Sequence, residues 1–287
     1  MKTIIVPLDF SNESLLGLDQ SMMLAQKTGA NILMVHVLGT KSGTDMLQKR
    51  DENQLAVIKF EEMLKLYKRK ISADCQITYI IKEGKVFREI TELADKYEDS
   101  VIVLSTHGLS GFEELFIGGH AYKIASHSKR PVITVRKCST SSNIDRIVLP
   151  LDMTPKTREK VPYTAKLAKL FNSEIHVVTV RSSNIASIEK KLHRYSEQVV
   201  SYLAANSIPS RVAHLHGSNL TDITLDYAAS VSADLISIMT EQEMSVSNLL
   251  LGTFAHQMIN KACIPVLSFP NYQLGILEED FRATGVV

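Results

Sequence analysis

The stretch Ile4-Ile5-Val6-Pro7-Leu8-Asp9-Phe10-Ser11 returns as Ile147-Val148-Leu149-Pro150-Leu151-Asp152-Met153-Thr154. Each copy is an apolar run closed by Pro-Leu-Asp and, one residue on, a hydroxyl residue. Matches continue outward in the same order. A helical pattern from Ser14 to Ala25 answers one from Val161 to Leu170, and the runs Ala30–Val37 and Ser173–Val180 are second strands. Val101–Leu104 pairs with Leu235–Ile238, Phe116–Gly119 with Leu250–Thr253, and Arg130–Val135 with Ile264–Phe269, these three at one unbroken offset. Order and spacing kept over so many segments mark a duplication.

Within each half, short β-branched runs alternate with longer amphipathic patterns, the signature of βαβ units with a buried parallel sheet. The fold class predicted is α/β: two tandem doubly wound domains, each a five-stranded, mainly parallel sheet with helices on both faces, in the order β-α-β-α-β-α-β-α-β. The polar stretch after Lys137 divides them into residues 1–137, a linker 138–144, residues 145–270 and an extension 271–287. A long charged helix is expected from Thr44 to Ile71, and Gly84 and Gly217 end the third strands. The last strand of each half begins at a proline, Pro131 or Pro265, which suits an edge. An unpaired edge invites a partner strand. With the apolar residues Leu274, Ile276, Leu277 and Phe281 of the extension, it predicts packing on the other half or on a second copy, a homodimer.

Composition narrows the function. The 287 residues carry a net charge of only +1, which gives no electrostatic case for a nucleic-acid or membrane partner. No apolar run approaches the ~20 residues of a membrane span. Three scattered cysteines, Cys75, Cys138 and Cys263, suit a reducing cytoplasm and offer neither a metal spacing nor a disulfide framework. The histidines form no metal spacing either, so no metal site is expected. There is no P-loop, no dinucleotide-binding glycine fingerprint after the first strand and no nucleophile elbow. No catalytic constellation can be assembled, so the expectation is a binding protein rather than an enzyme.

Glycines after the fourth strand leave two readings open. Ser105-Thr106-His107-Gly108 and, nine residues on, Gly118-Gly119 are either a cradle of backbone N–H groups for phosphates or turn punctuation between strand and helix. Together with the strand ending in Pro-x-Asp and the second ending in His36-Val37, this pattern resembles the universal stress protein family, over both halves and nearly the whole chain. Nucleotide-binding members have Gly-x-x-Gly, nine residues, then Gly followed by Ser or Thr. The resemblance implies an adenine nucleotide, ATP with Mg²⁺ or a relative of it, in the N-terminal half. Pro7 and Leu8 would form the wall, and Asp9 would take a ribose or adenine edge. Val37 would offer backbone groups to adenine, Ser105 would lie at the ribose, His107, Gly108, Gly118 and Gly119 would surround the phosphates, and His120 would complete the nucleotide site. Here Ser105 replaces the first glycine and Gly119 the terminal hydroxyl residue, which predicts weakened binding. The C-terminal copy reads Met239-Thr240-Glu241-Gln242, then Gly252-Thr253, with Glu241 and Glu243 where a triphosphate would run. Its site is expected to be degenerate or adapted to another small ligand. The alternatives are an interaction scaffold that binds no nucleotide, and a weak ATP hydrolase for which no general base is evident.

Overall fold

A computed structural model describes residues 1–39, 46–72, 75–106, 119–138, 143–240, 242–245, 248–251 and 253–270. The chain divides into two compact units, Met1–Cys138 and Ser139–Val287. In unit 1 the order is β1 (Thr3–Pro7), α1 (Asn12–Thr28), β2 (Asn31–Leu38), α2 (Met46–Tyr67), β3 (Ile77–Glu83), α3 (Val86–Asp95), β4 (Ser100–Ser105), α4 (Gly119–His127) and β5 (Val132–Val135). The strands pair in parallel in the order β3-β2-β1-β4-β5. The chain therefore steps outward from β1 to β3 and then reverses past β1 to β4 and β5. With right-handed crossovers, α1 and α2 cover one face and α3 and α4 the other. The reversal opens a crevice at the carboxyl ends of β1 and β4, where ligands of such sheets bind.

Local chemistry explains the elements. All six residues of β4 are buried, as a central parallel strand covered on both faces requires. Helix α1 starts where Ser11 accepts the Ser14 N–H, and it stops at Gly29 in a left-handed conformation, φ 69°. Gly84 is demanded by its surroundings: φ is 153°, and a Cβ there would lie 2.7 Å from Glu89 Oε1. The long helix expected from Thr44 to Ile71 is α2 followed by one 3-10 turn, Lys68–Lys70.

Unit 2 repeats the plan with β6 (Arg146–Leu151), α5 (Val161–Phe171), β7 (Glu174–Arg181), α6 (Ala186–Ala205), β8 (Ser210–His216), α7 (Leu220–Ser230), β9 (Leu235–Thr240), α8 (Thr253–Lys261) and β12 (Val266–Pro270). Its parallel order is β12-β9-β6-β7-β8. Asn172, φ 56°, ends α5 as Gly29 ends α1. Two departures stand out. Between β9 and α8 the chain adds an antiparallel hairpin, β10 (Gln242–Ser245) with β11 (Asn248–Leu251), which sequence periodicity did not indicate. And α5 has 11 residues against 17 in α1, its beginning replaced by a 3-10 turn, Pro155–Arg158.

Candidate functional site

In unit 1, a cavity of about 280 Å³ lies at the carboxyl ends of β1 and β2, against the starts of α3 and α4. Five of the residues singled out in the sequence meet there: Pro7, Leu8, Asp9, Val37 and His120. Val35, His36, Val86 and Ile90 complete the lining. Two more lie elsewhere: Ser105 is a buried residue at the end of β4, in register with Val135, and Gly119 is the exposed first residue of α4. His107, Gly108 and Gly118 fall outside the described residues, as do Gly252 and the extension 271–287.

Each polar group at the cavity is fixed from behind. Asp9 Oδ1 accepts from Ser11 N (3.0 Å) and from Ser11 Oγ (2.5 Å), and Ser11 Oγ accepts the Ser14 N–H (3.1 Å). This chain ties the carboxylate to the start of α1 through one oxygen. His36 donates from Nδ1 to Leu8 O at 2.7 Å, so its tautomer presents Nε2 as the remaining ring nitrogen. Phe10 holds a left-handed backbone, φ 65°, uncommon for a bulky residue. Its ring lies 4.7 Å from that of His36 and edge-on to Phe60 at 5.0 Å, and Phe60 stacks on Tyr79 at 4.6 Å. That aromatic row supplies the packing that holds the unusual turn. His120 differs from the others. Its Nδ1 is buried with no hydrogen-bond partner among the described residues, and burial, then Lys123, push its pKa below the usual histidine value while Asp9 opposes them.

Unit 2 carries a larger cavity, about 540 Å³, over the corresponding strand ends. In the register of the repeat, Pro150, Asp152, Val180 and Phe254 line it where Pro7, Asp9, Val37 and His120 line the first. Asp152 repeats the Asp9 turn, accepting from Thr154 N (2.8 Å) and Thr154 Oγ1 (2.5 Å). Unit 2 thus has a formed cavity with altered walls.

One residue there was missed in the sequence. Lys160 lines the cavity and is only 1% exposed. The same register sets it against Gly17: Ser21 Oγ donates to Gly17 O (2.7 Å) just as Thr164 Oγ1 donates to Lys160 O (2.8 Å). In unit 1 a Cβ at Gly17 would come within 3.2 Å of Leu104 Cα, so helix and strand touch backbone to backbone. In unit 2 the first turns of the helix have become the 3-10 turn, and a lysine occupies that position. Its ammonium donates to Thr157 O and, at 3.3 Å, to Thr157 Oγ1, while Asp152 N donates to Thr157 Oγ1 at 3.1 Å. Burial drives its pKa down to about 8, against the raising influence of Asp152.

Three further histidines are engaged structurally: His127 Nδ1 with Lys123 O (2.8 Å), His214 Nδ1 with Thr179 Oγ1 (2.7 Å), His176 Nδ1 with Tyr227 Oη (2.9 Å). Among the described residues no three His, Cys, Asp or Glu side chains are grouped to hold a metal ion, and no helix is long and apolar enough to cross a membrane.

Duplicated doubly wound units, each with a crevice at its strand ends, a tethered carboxylate and apolar walls, define a tandem α/β protein. The Universal stress protein family matches residues 1–136 and again 143–270, so the chain belongs to that family. A crystal structure of a universal stress protein from Archaeoglobus fulgidus superposes with a TM-score of 0.73 at 19% identity, covering 93% of this chain and 98% of that one, a likeness of fold. Universal stress protein MJ0531 of Methanocaldococcus jannaschii is 25% identical over 146 residues, 47% of this chain and 82% of its own. Universal stress protein YxiE of Bacillus subtilis is 27% identical over 146 residues, 46% of this chain and 97% of its own.

Proposed function

We propose that unit 1 binds an adenine nucleotide, ATP with its Mg²⁺ or a close relative, and that this protein is a cytoplasmic nucleotide-dependent regulator of the stress response rather than an enzyme. The observation that carries the reading is His120 Nδ1, a buried polar atom left without a partner among the described residues at a cavity that also holds the Asp9 carboxylate. A buried orphan of this kind costs about 1–3 kcal/mol, and a hydrogen-bonding ligand removes that cost. Apolar walls from Leu8, Val35, Val37 and Ile90 suit the faces of a purine, and Asp9 suits a ribose hydroxyl. Phosphates would then run toward the start of α4, where Gly119 is the first helical residue and carries no side chain.

The test begins with gently purified protein. Heat denaturation followed by chromatography of the supernatant should release an adenine nucleotide, and calorimetry with Mg-ATP should give a binding isotherm. Asp9→Asn keeps an acceptor for the Ser11 turn but removes the charge, and is expected to weaken binding tenfold or more. Absence of any isotherm at millimolar ATP, with no nucleotide released, rejects the reading and leaves an interaction scaffold.

A further inference from the structure

Among the positions at which the lining of the unit 2 cavity departs from the first copy in register, three bear on what it could hold. His120 is replaced in register by Phe254 and Ser105 by Met239, so two polar positions become apolar. Gly17 is replaced by Lys160, so one cation is added. The volume rises from about 280 to about 540 Å³, within the range that encloses small-molecule ligands.

Lys160 sits badly for a structural lysine. It is the residue that caps the N-terminus of α5, where the helix dipole is positive and disfavours a cation. Among the described residues no carboxylate lies within ion-pair distance of it. Asp152, the acid whose field reaches it, spends Oδ1 on Thr154. Of its three ammonium N–H groups, two have acceptors, both on Thr157. A buried charge without a counter-charge is stabilised by an anion brought by something else. Two other helix starts lie at the cavity, those of α8 and α7, and at α7 the N–H groups of Thr221 and Asp222 are already taken by Asn219 Oδ1 (3.0 and 3.2 Å).

We propose that the unit 2 cavity binds an amphiphilic monocarboxylate, its anionic head on Lys160 and its apolar body along Val180, Ile238, Met239 and Phe254. A single charge is favoured over a polyphosphate because the lining offers one buried ammonium, while the Asp152 carboxylate in the same lining repels further negative charge. The proposal is independent of nucleotide binding in unit 1.

Octanoate and 1-octanol, the same chain with and without the carboxylate, are the probes, titrated into the full chain by calorimetry and by native mass spectrometry. Octanoate should bind at least tenfold tighter than 1-octanol to the wild-type protein at pH 7. In Lys160→Met, which keeps the volume and removes the charge, that preference should vanish while 1-octanol binds as well or better. The comparison within the wild-type protein needs no variant to fold. Equal affinity for the two probes, no octanoate binding at millimolar concentration, or an undiminished octanoate preference in Lys160→Met would each overturn the proposal, as would ATP displacing octanoate from a wild-type molecule that binds both competitively.

Discussion

Replacing Lys160 by methionine should make unit 2 more stable at neutral pH and less so in alkali. Burial lowers the pKa of this lysine from its ordinary value to about 8, a change worth about 3 kcal/mol against the charged form. In the unfolded chain the group titrates near the ordinary value of about 10.4. Below pH 8 both states carry the proton and the folded protein bears the full cost. Between pH 8 and about 10.4 the unfolded state binds more protons, so stability rises with pH through that window, and above it the cost has gone. Lys160→Met removes this dependence but leaves Thr157 O without its donor, a loss of about 1 kcal/mol. The variant should therefore gain about 2 kcal/mol at pH 7 and lose about 1 kcal/mol near pH 10.5. Any other group that titrates in alkali does so in both proteins, so the difference between variant and parent is the quantity to measure. Tryptophan is absent from the chain, which makes urea unfolding followed by far-UV circular dichroism the suitable assay. A change of about 3 kcal/mol in the difference between pH 7 and 10.5 is expected. A difference that stays constant across that range would refute the claim that the ammonium is desolvated.

Two further outcomes follow from the unit 1 cavity. Gly119 has no heavy atom within 4 Å of where a Cβ would stand, so Gly119→Ser should leave the melting temperature unchanged. Its added hydroxyl at the start of α4 should tighten Mg-ATP binding about tenfold by calorimetry. His120, its pKa lowered first by burial and then by Lys123, should titrate below about 6.5 in a proton NMR series and move upward when nucleotide phosphates occupy the site. Because the unfolded chain takes up that proton first, its contribution to stability declines as pH falls below that value.

The fold was legible because its determinants are local and repeated. Pro-Leu-Asp at two places, paired glycines after the third strands, and apolar runs of strand length carry the doubly wound order without any distant contact being known. Half of the candidate site was legible for the same reason, since Pro7, Leu8, Asp9 and Val37 sit at strand ends and His120 at a helix start. What escaped was set by tertiary geometry. The orphaned nitrogen of His120 depends on what does not approach it, and no sequence pattern reports that. The hairpin of β10 and β11 is two strands of four residues each, too short for periodicity to separate from a loop. Lys160 reads as one more surface lysine until the two copies are superimposed residue by residue. Gly17 then stands opposite it, at a position where the first copy tolerates hardly any side chain.

That opposition also explains why the second cavity is larger. In unit 1, Gly17 lets α1 run its full 17 residues hard against β4, with the helix start fixed by the Asp9–Ser11–Ser14 chain. A lysine cannot take the same place without the helix withdrawing. In unit 2 the hydroxyl that follows the aspartate turn no longer caps a regular helix. Thr157 instead accepts from Asp152 N and Lys160 Nζ, and the intervening segment tightens into a 3-10 turn beginning at Pro155. The turn, the buried ammonium and the widened crevice are therefore one structural change with one origin. If the lysine served only to fill space, methionine would do so without the cost of desolvating a charge. Retaining the amine in an apolar wall, at the wrong end of a helix, is physically reasonable where a carboxylate supplies the missing charge.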